Sequence, residues 1–288
     1  MTLAAMLRLP LMLRATLPVA VAFLAAAGVT RAEVVPAHLV LLNGRAIPLA
    51  AVALQGDNFV VKTAAADFVV GATIPAATVD HVYGDKPAAI NQAVALLLTG
   101  NPDGAFDLLE PLLAQHKDTA KLPGNFWLEA ARAALVAKAL GSATTAANDL
   151  AKAISDATPA QGMDPISLLG KALALPITTK ISDRVDALRI LATAEMPADI
   201  CAYATFFRAE LLKKDKRDAE ALEAYLSVPC LFPTGGMVIN GVAQFKAAEI
   251  LTAMNRREEA LALVNCSLRC VKGTAAEEPA NKLLQSIK

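Results

Sequence analysis

From residue 86 onward, one helical pattern recurs five times along the chain. Each recurrence pairs two segments of helical periodicity, and an alanine stands at an equivalent place in each second segment. These alanines, at spacings of 41, 41, 34 and 39 residues, are Ala105, Ala146, Ala187, Ala221 and Ala260. A repeat of this length with two helices per unit predicts a mainly α-helical solenoid of antiparallel helix pairs.

The composition supports close helix packing. Hydrophobic residues make up 55% of the chain but aromatic residues only 5%, a bias that comes mostly from alanine. Alanine has the highest helix propensity, and its small side chain lets helix axes approach each other. The third unit departs from the pattern because Pro176 interrupts its first helix, so we expect a kink or a looped-out segment around residues 156–182. Residues 276–287 are predicted to form a terminal capping helix.

Residues 38–83 follow a different pattern. Short β-branched runs alternate with turn signals such as Asn43-Gly44 and Gly56-Asp57, which favour hairpins. The runs 38–42, 52–54, 59–62, 67–70 and 73–82 predict four or five strands that close into a small twisted sheet or barrel. This β-rich module is assigned to residues 33–84 and the helical repeat domain to residues 85–288.

The first 32 residues have the features of a cleavable signal peptide. Arg8 and Arg14 supply positive charge, residues 15–29 form an apolar run, and Thr30 and Ala32 are small residues before the expected cleavage point. The run is shorter than the ~20 residues that span a bilayer. We therefore expect a periplasmic or secreted protein, with membrane attachment only if the leader stays uncleaved.

The helical repeats resemble the tetratricopeptide family most clearly in the fourth unit. The small and large residues that characterise this family fall there on Ala209, Leu212, Ala221, Tyr225, Val228 and Pro233. The fifth unit matches at Ala248, Leu251, Ala260 and Val264 but lacks the closing proline. In the β-rich module, the order V-L-L-N-G-R, a hydrophobic strand and a final I-P-x-x-x-V-x-x-V resembles the small barrels of Sm-like proteins.

The tetratricopeptide resemblance implies a binding groove lined by the first helix of each pair. Its inner positions in the last two complete units are Tyr203, Phe206, Glu210, Lys213, Val242, Phe245, Glu249 and Thr252. Aromatic anchors beside carboxylates suit an apolar and basic peptide, although packing between repeats explains the aromatic pair equally well. The corresponding residues of the first two units, such as Ile90 and Leu97, are too apolar for an open groove. We expect them to be buried, and the β-rich module is one element that could cover them.

Cysteine placement suggests one disulfide. Cys201 lies just before the first helix of the fourth unit and Cys230 just after the second, and an antiparallel hairpin brings these two ends together. Export would favour oxidation of the pair. The alternative is that all four cysteines are ordinary small buried residues.

The sequence contains no pattern that indicates catalysis, a metal or a cofactor. Its three histidines, His38, His81 and His116, are far apart in the chain, and no nucleophile-elbow, zinc-protease or phosphate-loop motif is present. Lys plus Arg and Asp plus Glu number 27 each, so no excess positive charge favours nucleic acid.

We therefore expect a non-catalytic protein-protein interaction scaffold of the cell envelope, which binds another envelope protein or peptide through the groove. The alternatives are an envelope enzyme with an unrecognised site, and binding of a ligand or nucleic acid by the β-rich module.

The leader prediction can be tested directly. Because the apolar run ends at Thr30-Arg31-Ala32, the mature protein should begin near Glu33. Intact-mass measurement on protein from the native host checks this, and a full-length mass would instead indicate an uncleaved anchor.

Overall fold

A computed structural model describes residues 34–141, 143–157 and 165–287. The predicted leader, residues 1–32, lies outside these residues. The described chain is mainly helical, with two small antiparallel sheets before the first helix, as the sequence predicts. None of its helices is long and apolar enough to cross a membrane.

Six strands form two three-stranded sheets, in the orders β2-β1-β6 and β3-β4-β5. The strands are β1 (His38–Leu41), β2 (Ala46–Pro48), β3 (Val52–Gln55), β4 (Asn58–Val61), β5 (Thr73–Pro75) and β6 (Val79–Tyr83). The strand expected at residues 67–70 is not formed. Only an isolated bridge joins Ala65 to Phe68, and Val69 and Val70 are exposed, because this segment has no strand beside it to pair with.

The two sheets repeat one arrangement. In β1, Leu39 lies opposite Ile47 of β2, and in β4, Phe59 lies opposite Ile74 of β5. A proline follows each isoleucine and precedes a short 3-10 turn that leads into the next strand. That next strand then pairs with the central strand of the other half, since β3 joins β4 and β6 joins β1. Because β3 and β6 each pair with the other half, the two sheets enclose one hydrophobic core. Leu39, Ile47, Phe59 and Ile74 are all buried in it.

Short contacts join the strands to the first helices. The backbone N–H of Val82 donates to the carbonyl of Pro123 at 2.9 Å, and the N–H of Leu54 donates to Oδ2 of Asp118 at 2.8 Å. Leu122 packs against the strand core. The loop after the second helix therefore serves as the attachment point of the β-rich module.

The helices come in consecutive pairs. The pairs are α1 (Ala88–Leu98) with α2 (Pro102–His116), α3 (Trp127–Leu140) with α4 (Thr144–Ala157), α5 (Pro165–Leu173) with α6 (Ile181–Arg189), α7 (Ala198–Lys214) with α8 (Asp218–Leu231), and α9 (Met237–Ala253) with α10 (Arg257–Val271), followed by α11 (Glu277–Ile287). The third pair is the shortest, and Pro176 lies in its connecting loop, which confirms the predicted interruption. The capping helix is confirmed as α11.

Small residues lie where the helices cross. Ala105, Ala221 and Ala260 are fully buried, as their recurrence predicts, whereas Ala146 and Ala187 are only half-buried. Gly241 of α9 is so close to α10 that an added Cβ would lie 2.6 Å from Cβ of Cys270. Gly170 of α5 likewise faces Leu135 of α3, whose Cδ2 would be 2.7 Å from such a Cβ. Larger side chains at these two glycines would push the helices apart.

The first helices of the pairs form a closed ring. Helices α1, α3, α5, α7 and α9 each pack against the next, and α9 also packs against α1. A hydrogen bond supports the closure, because the N–H of Ala275, just before α11, donates to Oε1 of Gln92 in α1 at 2.8 Å. The inward faces of the ring belong to one continuous hydrophobic core, separate from the core of the strands.

Candidate functional site

Ring closure places the predicted groove aromatics in the core. Phe206 is 0% exposed and Phe245 is 5% exposed, and Tyr203 and Val242 are also buried. Phe206 makes an edge contact with the ring of Tyr225 at a centroid distance of 5.6 Å. The prediction that this aromatic pair is open to a partner is therefore wrong, because the surface it would line is packed against the other first helices.

The apolar residues at the groove positions of the first two units are also buried inside the ring. Ile90 is fully buried and Leu97 is 2% exposed, and both belong to the helical core. They do not belong to the core of the β-rich module, beneath which they had been expected. The interior of the ring buries them instead.

The polar groove residues remain partly accessible near the carboxyl ends of α7 and α9. Nζ of Lys213 lies 2.8 Å from Oε2 of Glu249, and Nζ of Lys246 lies 3.6 Å from the same oxygen. The hydroxyl of Tyr225 donates to Oε1 of Glu210. Each predicted carboxylate thus already has a partner within the chain, which weakens the argument for a basic ligand. Thr252, the last predicted groove residue, donates to the carbonyl of Ala248.

Burial keeps the Tyr225 hydroxyl protonated, so that it remains the hydrogen-bond donor to Glu210. The pKa of Tyr225 is raised far above its usual value, first by burial and then by the charge of Glu210 and the hydrogen bond to it. Tyr225 therefore stays a neutral donor at any physiological pH. Its hydroxyl holds the Glu210 carboxylate toward α8.

An open cavity lies at the carboxyl-end mouth of the ring. This mouth cavity has a volume of about 290 Å³ and is bordered by the ends of α1 and α3 and by α7 and α9. Its walls are mostly apolar, and two charged side chains, Glu210 and Lys246, line it together with Leu97, Leu98, Leu140, Phe206 and Phe207. Apolar cavities with a few fixed polar groups are typical binding sites. Sequence periodicity could not reveal this one, because its walls come from four helices.

A second, smaller cavity shares a wall with the first. This Arg184 cavity has a volume of about 130 Å³ and lies between α3, α5, α6 and α7. The wall between the two cavities consists of Leu140, Phe207 and Glu210, which line both. Arg184 was not among the predicted site residues, since its S-D-R context indicates only the start of a helix.

The predicted Cys201–Cys230 disulfide is not formed, and all four cysteines are free. The thiol of Cys201 is buried and directed at the carbonyl of Thr193, 3.3 Å away in the loop before α7. Cys230 is exposed on α8. Both residues lie inside the helices, near adjoining ends of the hairpin, but Cys201 is buried whereas Cys230 is exposed.

The described residues contain no group of three side chains suited to hold a metal ion. The pairing of β1 with β6 does bring His38 and His81 to the same face of a sheet, which their spacing in the sequence did not suggest. Each is already engaged: His38 with the carbonyl of Pro36 at 2.7 Å, and His81 with Asp80 at 2.8 Å.

Comparison with known proteins gives no assignment: no protein-family description and no curated protein matches this sequence.

The burial of Phe206 leads to a stability prediction. Because the ring is fully buried, Phe206→Ala should lower the free energy of unfolding by ~3–5 kcal/mol, the usual cost of removing a core phenylalanine. Tyr83→Ala is the matched control, since Tyr83 is 59% exposed and its loss should change little. Urea unfolding followed by circular dichroism measures both. Equally small losses of stability in both variants would indicate that Phe206 lies in an accessible groove.

Proposed function

We propose that this chain is an exported, non-catalytic interaction scaffold of the cell envelope, related in design to tetratricopeptide proteins. It binds a segment of another envelope protein at the mouth cavity of its helix ring. The observation that carries the proposal is this cavity, which is open and largely apolar and has charged groups fixed at its edge.

The walls of the mouth cavity favour an apolar side chain as the anchor of the partner. Leu97, Leu98 and Phe207 are almost completely buried by their own neighbours, and only narrow faces of them border the cavity. Such rigid apolar walls accept one large side chain without reorganisation of the core. Anchors of this kind supply most of the binding free energy in protein interfaces.

The charged edge favours a partner segment without a strong excess of basic residues. Lys213 and Lys246 share the single carboxylate of Glu249, and Glu210 is occupied by Tyr225. Two cations therefore stand against two carboxylates at this edge, and neither carboxylate is left without a partner. The helix ends also bring partial negative charge, which these cations offset. We therefore propose that the partner segment is apolar and neutral or mildly acidic, and not basic as expected from the sequence.

The proposal predicts which substitutions prevent capture of a partner. Thr99 lines the mouth cavity at the end of α1, and Thr99→Trp should fill it. Lys246→Ala should weaken capture more modestly, because it removes one rim cation and a rim charge contributes more to association rate than to affinity. The test is affinity capture by the mature protein from envelope extracts of the native host, followed by binding measurements with the purified partner.

Matched variants distinguish blocking from unfolding. Ser286→Trp and Lys282→Ala make the same chemical changes on exposed residues of α11 that do not line the cavity. Both controls should capture the partner as the parent does, and all four variants should keep the parent circular dichroism spectrum. If Thr99→Trp is folded and still captures every specific partner, binding lies elsewhere and the proposal fails.

A further inference from the structure

The Arg184 cavity is a small apolar space with one cationic side chain in its wall. Its apolar lining comes from Leu140, Leu173, Leu188, Phe207 and Leu211. A dry apolar cavity of roughly 150 Å³ is known to hold a benzene-sized molecule. The volume here, about 130 Å³, is therefore close to that of one small ring or branched chain.

Arg184 has no anionic partner within the described chain. Its Nε is buried without a hydrogen-bond acceptor. No carboxylate of the described residues forms an ion pair with its guanidinium, whereas Lys213 and Lys246 share Glu249. A buried donor without an acceptor destabilises the folded chain, and more so when the group is charged. The guanidinium is therefore prepared for an anion that the chain does not supply.

Glu210 does not fill this role, although it lines the same cavity. Its carboxylate accepts the hydrogen bond from Tyr225 and makes no ion pair with Arg184. The charge of Glu210 also makes a free dianion a poor ligand, because a second negative charge would face a carboxylate across a small apolar space. One negative charge on an apolar body fits the cavity better.

We propose that the Arg184 cavity binds a small monocarboxylate with an apolar body, an aliphatic or aromatic acid about the size of benzoate. The carboxylate pairs with the guanidinium of Arg184 through charge-assisted hydrogen bonds. The apolar body lies against Leu173, Leu188 and Phe207. This site goes beyond the proposed function, since it is separate from the mouth cavity and takes a small molecule.

A ligand in the Arg184 cavity would contact four helices and so stabilise their packing. The walls of the cavity connect α5 and α6, each of nine residues, to α3 and α7. The short third pair has less surface with which to pack on its neighbours than the other pairs. A bound acid would join this pair to both sides of the ring, and the folded protein should be stabilised in proportion to occupancy.

The test compares acids with alcohols of the same shape. Isothermal titration calorimetry on the mature protein, with melting curves, uses benzoate and 4-methylpentanoate as probes. Benzyl alcohol, 4-methylpentanol, acetate and inorganic phosphate are the comparison compounds. Both acids should bind and raise the melting temperature. Each matched alcohol should bind at least about tenfold more weakly, because it lacks the charge-assisted hydrogen bonds.

Two arginines of α6 provide the variant and its control. Arg184→Gln should weaken binding of both acids at least about tenfold. Arg189→Gln should bind them as the parent does, because Arg189 is paired with Asp186 at 3.0 Å and does not line the cavity. Thr99→Trp should also leave acid binding unchanged, so failure of the mouth-cavity proposal would not affect this result.

Several outcomes would overturn the inference. These are no measurable binding of either acid, equal binding of acid and alcohol, phosphate binding as tight as benzoate binding, or full binding by a folded Arg184→Gln variant. If Arg184→Gln does not fold, the comparison of acid with alcohol on the parent protein decides the question alone.

Discussion

The contact between α1 and α9 determines what the rest of this molecule can do. A stack of helix pairs ordinarily leaves the first helices on a concave, open surface. Here the last complete pair packs against the first, and Gln92 is hydrogen-bonded to Ala275, which lies 183 residues further along the chain. The concave surface becomes an interior that Phe206, Leu97 and Leu135 fill with apolar side chains. Binding is then confined to the ends of the ring and to gaps between its helices.

The charges around the carboxyl-end mouth are consistent with this arrangement. Because the first helices run in the same direction, their carboxyl ends and associated partial negative charges meet at one mouth. Lys213 and Lys246 lie there and share Glu249, while Tyr225 holds Glu210 from the neighbouring helix. The result is a nearly balanced edge around apolar walls.

The sequence predicted the features that depend on local pattern. Three of the five recurring alanines, Ala105, Ala221 and Ala260, indicated buried helix crossings, and the proline-rich third unit indicated the shortened α5 and α6. Ring closure could not be predicted, because inward apolar positions have the same periodicity in an open groove and in a filled ring. The disulfide prediction failed for a related reason: the sequence identified the hairpin ends, but not that Cys201 is buried against the loop before α7 while Cys230 is exposed on α8. The prediction of a strand at residues 67–70 was wrong because no neighbouring strand lies beside this segment to pair with it.

Closure of the ring can be measured directly by cross-linking residues that only a closed ring brings together. Cysteines introduced at Gln92 and Ala275, in a chain whose four native cysteines are replaced by alanine, should be joined by a short bifunctional thiol cross-linker, because Oε1 of the Gln92 side chain lies 2.8 Å from the backbone N of Ala275. The cross-linked protein should migrate as a compact monomer, and peptide mapping should identify the cross-link. A folded double variant whose two thiols are not joined would contradict the closed ring and reopen the concave groove as the binding surface.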